Sequence, residues 1–230
     1  GYPPIMKSMY ASGGAELVRL FRTVSEMGVL TSLDMAMVQE QTEAGSADWA
    51  GIIQAVLPYT DFFVPSVEEL LLMLERERYH DILERSGGRD ITEVISLEED
   101  VKPLAKRCIE MGAGCVLIKC GAPGLYYKTA GTGFAEMLSQ RTGSERSDWA
   151  GQEGFEHSYV PGRVRSAIGA GDTTIGAFLT AMLDGYPLQR CLQLATATGA
   201  SCVETYDALS GLKPFDELER RIDRGWEKNK

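Results

Sequence analysis

Apolar residues along the chain occur in two kinds of run, short continuous ones and longer ones with helical spacing. Residues 29–35, 61–64 and 115–119 are short and rich in apolar or β-branched side chains, which is typical of buried strands. Residues 125–128 follow a turn at 121–124, so they are predicted to form the return strand of a hairpin.

Helical spacing fills most of the chain between these strands. Helices are predicted at 15–27, at 48–59, after Ser66, from Ser96 to Met111, at about 172–184 and 188–204, and around Phe215, Leu218 and Ile222 in the tail to Lys230. Ser66 with Glu69, and Ser96 with Glu99, have the spacing of a capping box. Residues 76–95 and 130–158 show no clear period and are predicted to be irregular, the second as a loop or insertion.

Alternating strands and helices predict an α/β protein. Helices of ten or more residues between strands indicate βαβ units and a mainly parallel sheet covered on both faces. The length fits one large domain or two small ones, and we expect residues 1–230 to form a single domain.

Composition and charge exclude several classes of partner. The net charge of −10 argues against an extended nucleic-acid surface. No apolar run reaches the roughly 18 residues that a membrane crossing needs, and the first residues lack a signal-peptide pattern. We therefore expect a cytoplasmic protein that has neither a nucleic acid nor a membrane as its partner.

Cysteine and histidine offer little material for a metal site or a nucleophilic triad. The five cysteines contain no CxxC pair and are expected to be reduced and mostly buried. The two histidines, His80 and His157, stand among polar residues, so we expect both on the surface.

The stretch at 167–179, AIGAGDTTIGAFL, carries the most chemistry. Gly169 and Gly171 can adopt backbone angles that are closed to other residues, and their amides can converge with that of Asp172 on one anion at a helix start. The Asp172 carboxylate can accept the proton of an attacking hydroxyl. Taken alone, the pattern fits equally well an Asp172 that only caps the helix behind a tight glycine turn.

Residues 165–183 resemble the C-terminal signature of the ribokinase-like (PfkB-type) carbohydrate kinases. The match is complete at Gly169, Ala170, Gly171 and Asp172, and the helix of small residues that follows also fits. The resemblance implies that Asp172 is the catalytic base and that the amides of residues 169–171 form the anion hole.

Two further positions concern metal ions. VPSVEEL at 64–70 resembles the family's P-N-x-x-E motif, with Ser66 in place of Asn, which implies that Glu69 holds Mg²⁺ through water. The capping box explains Glu69 as well. Ser166 and Ala167 replace the family's Asp-Thr, which leaves a monovalent-cation requirement open.

VLIKCGAPGLYY at 116–127 resembles the strand and turn that cover the nucleotide in this family. Gly121 and Gly124 match the motif, while Lys119 replaces a Thr. Lys119 is predicted either to contact a phosphate or to be a plain lysine at a strand end.

Two other segments resemble family elements more loosely. Residues 195–212 resemble the adenine-site helix and loop, where Ala197 and Ala200 would let a flat base pack, although close helix packing explains small residues too. Asp34 fits the first position of a D-x-N-x-R motif whose other polar residues are missing, so it is given no direct role.

The resemblance implies a ribokinase-like three-layer α/β/α fold and an ATP-dependent phosphotransferase. The expected reaction moves the γ-phosphoryl group of ATP, bound with Mg²⁺, to a hydroxyl of a small carbohydrate. A nucleoside or another alcohol as the acceptor, and a catalytically silent nucleotide-binding domain, are alternatives. The family's N-terminal strands and β lid are expected to be absent from these residues, and a homodimer stays open.

Overall fold

A mixed sheet of five strands lies between two layers of helices in the computed structural model, which describes residues 3–229. The strands are β1 (Ser32–Leu33), β2 (Phe62–Phe63), β3 (Cys115–Lys119), β4 (Gly124–Thr129) and β5 (Glu153–His157). Neighbours in the sheet follow chain order. β1, β2 and β3 pair in parallel, while β4 is antiparallel to both β3 and β5. The predicted α/β class is confirmed.

The helices cover both faces of this sheet. They are α1 (Lys7–Glu26), α2 (Trp49–Val56), α3 (Val67–Leu74), α4 (Arg76–Ser86), α5 (Lys102–Glu110), α6 (Thr132–Thr142), α7 (Ala170–Leu183), α8 (Leu188–Cys202) and α9 (Phe215–Asp223). The first is interrupted at residues 11–14, where the backbone leaves helical angles. Its regular part therefore begins near the predicted residue 15.

Alternation along the strands produces the three layers. Phe63 and Val116 pack into the core on the side of α2, α3 and α5, whereas Phe62 and Leu117 pack against α6, α7 and α8. Successive side chains of a strand point to opposite faces, so a fully apolar strand serves two cores at once. This explains why β3 reads as a continuous apolar run, and its predicted bounds are confirmed.

The prediction of an irregular connection at 76–95 is wrong, because α4 occupies its first half. Only Ile82 and Ser86 of this helix are fully buried, and charged residues form most of the remaining surface. With so narrow an apolar stripe, the helical period is hidden in the sequence.

The prediction of a loop at 130–158 is also wrong. This stretch contains α6, a short helical turn with the buried Trp149, and the edge strand β5. β5 pairs only with β4 in the described sheet and is largely polar. Edge strands commonly carry charge, which removes the alternation that would identify them.

Two helix boundaries differ from the expected signals. Ser66 and Glu69 form the predicted capping box at α3, but at Ser96 the reciprocal bond comes from Asp100, whose Oδ2 accepts the Ser96 N–H at 2.7 Å. The helix there begins with a wider turn at Leu97–Val101, so the carboxylate that reaches the Ser96 N–H belongs to Asp100, one residue after the expected Glu99. The tail helix ends at Asp223, well before Lys230, which lies outside the described residues.

The expected thiols and surface histidines are confirmed. All five cysteines are free and buried, and burial raises the pKa of Cys108, Cys120 and Cys191 to about 12. His80 and His157 are exposed. Within residues 3–229 no helix is both long and apolar enough to cross a membrane.

Candidate active site

A cleft of about 1190 Å³ opens at the carboxyl ends of the parallel strands. Asp34 follows β1, Ser66 follows β2 and Lys119 ends β3, and all three line the cleft. Gly169, Ala170, Gly171 and Asp172 at the start of α7 line it as well. Ligands of α/β proteins usually bind at this edge of the sheet, where strand ends face helix starts.

Gly169 shapes the turn that starts α7. It is the N-cap residue and has a φ of 78°, in the left-handed region that favours glycine. A β-carbon at this position would overlap the β-carbon of Ala208. At Gly171, by contrast, a β-carbon would meet Lys119 Cδ at an ordinary 3.5 Å. A side chain at the second glycine would therefore contact Lys119 without a clash.

Asp172 is the third residue of α7 and is exposed to the cleft. The helix is capped by Gly169 without a side-chain hydrogen bond, so the interpretation of Asp172 as the N-cap is wrong. No side-chain hydrogen bond or ion pair in residues 3–229 involves the Asp172 carboxylate. Its oxygens are therefore available to a ligand.

The backbone amides beside Asp172 differ in availability. The Ala170 N–H donates to the Ala167 carbonyl at 3.2 Å, so it is already engaged. The N–H groups of Gly169, Gly171 and Asp172 have no such acceptor among the described residues. Amides of the first helical turn have no partner within the helix, and the helix dipole favours an anion there. Of the three residues predicted to form the anion hole, Gly169 and Gly171 thus keep an available amide, whereas that of Ala170 is engaged.

Lys119 extends from the end of β3 toward this turn. Its side chain is only 16% exposed, and its Nζ lies 2.8 Å from Asp34 Oδ1. The same Nζ lies 3.7 Å from where a β-carbon of Gly171 would be. Lys119 is therefore no solvated surface lysine, since its ammonium group is held between the Asp34 carboxylate and the turn that starts α7.

Glu69 has a structural partner and also lines the cleft. Its Oε2 accepts the Ser66 N–H at 2.7 Å, while the Glu69 N–H donates to Ser66 Oγ at 3.2 Å. Glu68 lies beside it, and burial, together with the charges of Asp90 and Glu69, raises the pKa of Glu68. The capping role is real, and it leaves the other carboxylate oxygen of Glu69 for a further contact.

The donor set of the cleft suits an ion that keeps most of its water. Asp34, Glu68, Glu69, Asp90 and Asp172 are acidic, and Lys119 is the basic residue of the described lining. In residues 3–229, no group of three or more His, Cys, Asp or Glu side chains is placed to hold a metal ion. Mg²⁺ fits such a site, because it binds through one or two carboxylates, waters and substrate phosphates.

The turn at 121–124, which is predicted to cover the nucleotide, also lines the cleft. Gly121 and Gly124 both have positive φ angles, 65° and 140°. A β-carbon at Gly124 would overlap the carbonyl oxygen of Glu156, because β5 passes directly against the turn. Both glycines line the cleft.

The two alanines predicted near the adenine base are separated by the structure. Ala200 lines the cleft, but Ala197 is fully buried in the core and does not. Each helical residue turns by about 100°, so Thr196, Gly199 and Ala200 share the cleft face. A β-carbon at Gly199 would overlap Thr174 of α7, which shows that this glycine also serves close helix packing.

Asp34 and Asn229 are among the cleft residues to which reasoning from sequence gave no role. Asp34 follows β1 and pairs with Lys119 at the end of β3, across the intervening strand β2. The carboxyl ends of parallel strands meet at one edge of a sheet, so the predicted strands already indicated that these side chains could lie close together. Asn229 also lines the cleft, beside the 121–124 turn. No periodicity or motif in the sequence points to that position.

Comparisons with known proteins place this geometry in a family. The sequence model described as pfkB family carbohydrate kinase matches residues 41–214, which is more than half of the chain. An uncharacterized sugar kinase of Archaeoglobus fulgidus is 25% identical over 162 residues, covering 70% of this chain and 47% of that protein. A ribokinase of Arabidopsis thaliana is 26% identical over 115 residues, or 50% of this chain and 25% of that protein.

Solved structures show the same fold. Arabidopsis thaliana ribokinase complexed with ribose and ATP has a TM-score of 0.59 and 19% identity, covering 88% of this chain and 50% of that chain. A putative ribokinase II from E. coli in complex with ATP and Mg²⁺ has a TM-score of 0.61 and 21% identity, covering 95% of this chain and 56% of that chain. The chain spans about half the length of these relatives or less. The ribokinase-like fold is confirmed, and the chain belongs to the pfkB family of carbohydrate kinases.

Proposed function

We propose that the chain carries the phosphoryl-transfer site of an ATP-dependent kinase whose acceptor is a hydroxyl of a small carbohydrate. The observation that carries this proposal is the exposed Asp172 carboxylate beside the free amides of Gly171 and Asp172. A base next to an anion site is the arrangement that deprotonates a hydroxyl while it attacks a phosphoryl group. Membership of the pfkB family supports a carbohydrate as the acceptor.

Asp172 accepts the proton of the attacking hydroxyl in this mechanism. The oxygen then attacks the γ-phosphorus in line with the leaving ADP. The free amides at the start of α7 donate to the phosphoryl oxygens, and the helix dipole adds positive potential at the same point. Lys119, 2.8 Å from Asp34, exchanges this partner for the phosphates when the nucleotide binds.

Mg²⁺ would be held on the side of Glu69, through water and the free carboxylate oxygen. The bound ion neutralises the charge of the phosphates. Within the described lining, five carboxylates stand against the single ammonium group of Lys119. That excess of negative charge would repel a nucleoside triphosphate that is not complexed with a divalent cation.

The proposal is tested by measuring ADP release from ATP with Mg²⁺ over a panel of sugars, nucleosides and other small alcohols. We expect turnover with at least one carbohydrate, and the Asp172→Asn variant sets the background of contaminating kinases. Turnover with a nucleoside alone would reassign the acceptor. Nucleotide binding without turnover of any acceptor would instead favour a silent nucleotide-binding domain.

Lys119→Met is expected to weaken binding of ATP with Mg²⁺ by about 10- to 100-fold, since a hydrogen bond to a charged group is worth roughly 1.5–3 kcal/mol. Isothermal titration calorimetry with a non-hydrolysable ATP analogue measures the change. Lys106→Met is the matched control, because the Lys106 side chain is 70% exposed on α5 and outside the cleft. Equal affinities of the two variants would remove Lys119 from the site.

A further inference from the structure

The segment that follows α9 returns to the cleft and packs along the end of β5. We call residues 226–229 the tail segment. The Val160 N–H donates to the Glu227 carbonyl at 2.8 Å, and the Asn229 N–H donates to the Ser158 carbonyl at 2.8 Å. These two backbone bonds set the tail segment antiparallel to the chain at 158–160, as a short extension of the sheet.

Side chains anchor the tail segment on both sides of this pairing. The Trp226 ring stacks on Tyr159 with centroids 4.8 Å apart, and its Nε1 donates to the Val160 carbonyl at 2.7 Å. The Arg221 guanidinium lies 3.3 Å from the centroid of Trp226 on the same ring system. Stacking and a cation over the ring each add to the stability of the contact.

Lys228 pairs with a buried carboxylate. It forms an ion pair with Glu156, whose side chain is only 5% exposed and also accepts a hydrogen bond from Gln189 Nε2 at 2.8 Å. A carboxylate that is buried to this degree needs its partners, since an unpaired buried charge is costly. The tail segment is therefore a fixed part of the fold, and its last described residue has a defined position.

That last residue, Asn229, holds the turn on the nucleotide side of the cleft. Its Nδ2 donates to the Ala122 carbonyl at 2.9 Å and to Ser158 Oγ at 2.7 Å. A carbonyl can only accept, so the contact with Ala122 fixes which end of the Asn229 amide faces the turn. Ser158 supports the same turn, because its N–H donates to the Pro123 carbonyl at 3.0 Å and its hydroxyl to Ala122.

We propose that Asn229 is a positioning residue for the nucleotide, acting through the 121–124 turn; this rests on the proposed kinase function. A turn with glycines at both ends loses much conformational entropy when it becomes ordered. Asn229 orders the tip of this turn before any ligand arrives, and a preorganised site binds more tightly. Asn229 makes no hydrogen bond to Asp172 or Lys119 in the described structure. Its loss should therefore affect nucleotide affinity and leave the chemical step unchanged.

The test replaces Asn229 in the full chain with Ala and, separately, with Asp, which keeps the shape but loses the donor. We expect each variant to bind a non-hydrolysable ATP analogue with Mg²⁺ about three- to tenfold more weakly, which is the effect of one hydrogen bond. The KM for ATP should rise similarly, with kcat at saturating ATP within about twofold of wild type. Hydrogen exchange of the Gly124 amide, which donates to Gly121 at 3.2 Å, should become faster.

Glu227→Ala is the matched control, because its exposed side chain takes part in none of the contacts of the tail segment. It should match wild type in affinity and in kcat. Unchanged affinity of both Asn229 variants would overturn the inference, as would a fall in kcat as large as the rise in Kd, since that indicates general distortion of the fold. If wild type binds no nucleotide, the proposed function fails first and the inference falls with it.

Discussion

Replacing Asp172 with Asn is expected to lower kcat by about 10²–10⁴-fold, because an amide of the same shape cannot accept the proton of the acceptor hydroxyl. Nucleotide affinity should change little, since the carboxylate makes no side-chain hydrogen bond or ion pair in the described structure and the backbone amides at the helix start are unaffected. Steady-state kinetics and calorimetry on the same preparation separate the two effects.

Asp184→Asn is the control for this experiment. Asp184 is exposed at the other end of the same helix, where it is the C-cap residue, and the substitution removes the same charge. We expect wild-type kcat from it. A value of kcat for Asp172→Asn close to that of wild type would contradict the assignment of Asp172 as the base.

Arg146→Met is expected to lower the free energy of unfolding by about 3 kcal/mol, through two lost hydrogen bonds in the core. The Arg146 residue is 1% exposed and donates to the carbonyls of Tyr186, at 2.8 Å, and Met182 at the end of α7. Met fills a similar volume but cannot donate, so both carbonyls are left buried without this partner. Urea unfolding measures the difference.

Arg85→Met provides the comparison for Arg146. Arg85 is exposed on α4, and no ion pair or side-chain hydrogen bond in residues 3–229 involves it. Its unfolding free energy should stay within about 0.5 kcal/mol of wild type. An Arg146 variant that loses less than about 1 kcal/mol would show that desolvation of the guanidinium cancels the contribution of its hydrogen bonds.

The sequence was informative where one local pattern determines the structure. β3 is buried on both faces, so its apolar run is continuous and its bounds were predicted correctly. α4 and β5 were missed for the opposite reason, because each has few buried residues among many charges. Periodicity is easiest to recognise when a large part of the surface of an element is buried.

The residues of the candidate site likewise fall into those with a local sequence signal and those without one. Gly169 and Asp172 were found because the turn and the helix start are encoded in consecutive residues. The contact between Asn229 and Ala122 joins positions 107 residues apart, and no local signal predicts it. The face of α8 was only half predictable, since small residues fit both a flat ligand and a close helix, and Ala197 belongs to the core.

The close approach of Gly169 and Ala208 ties the helix-start turn to a distant loop. Cys202 lies between the turn and this loop, with its Sγ 3.8 Å from the Ile168 carbonyl and 3.6 Å from the Ala208 carbonyl. The loop that carries Ala208 therefore packs against the GAGD turn and restricts its backbone conformation. A peptide or a grafted scaffold that contains GAGD without this loop is therefore expected to lack the contacts of Ala208 and Cys202 that lie against the turn. Consecutive residues encode the turn, and a distant loop packs against it.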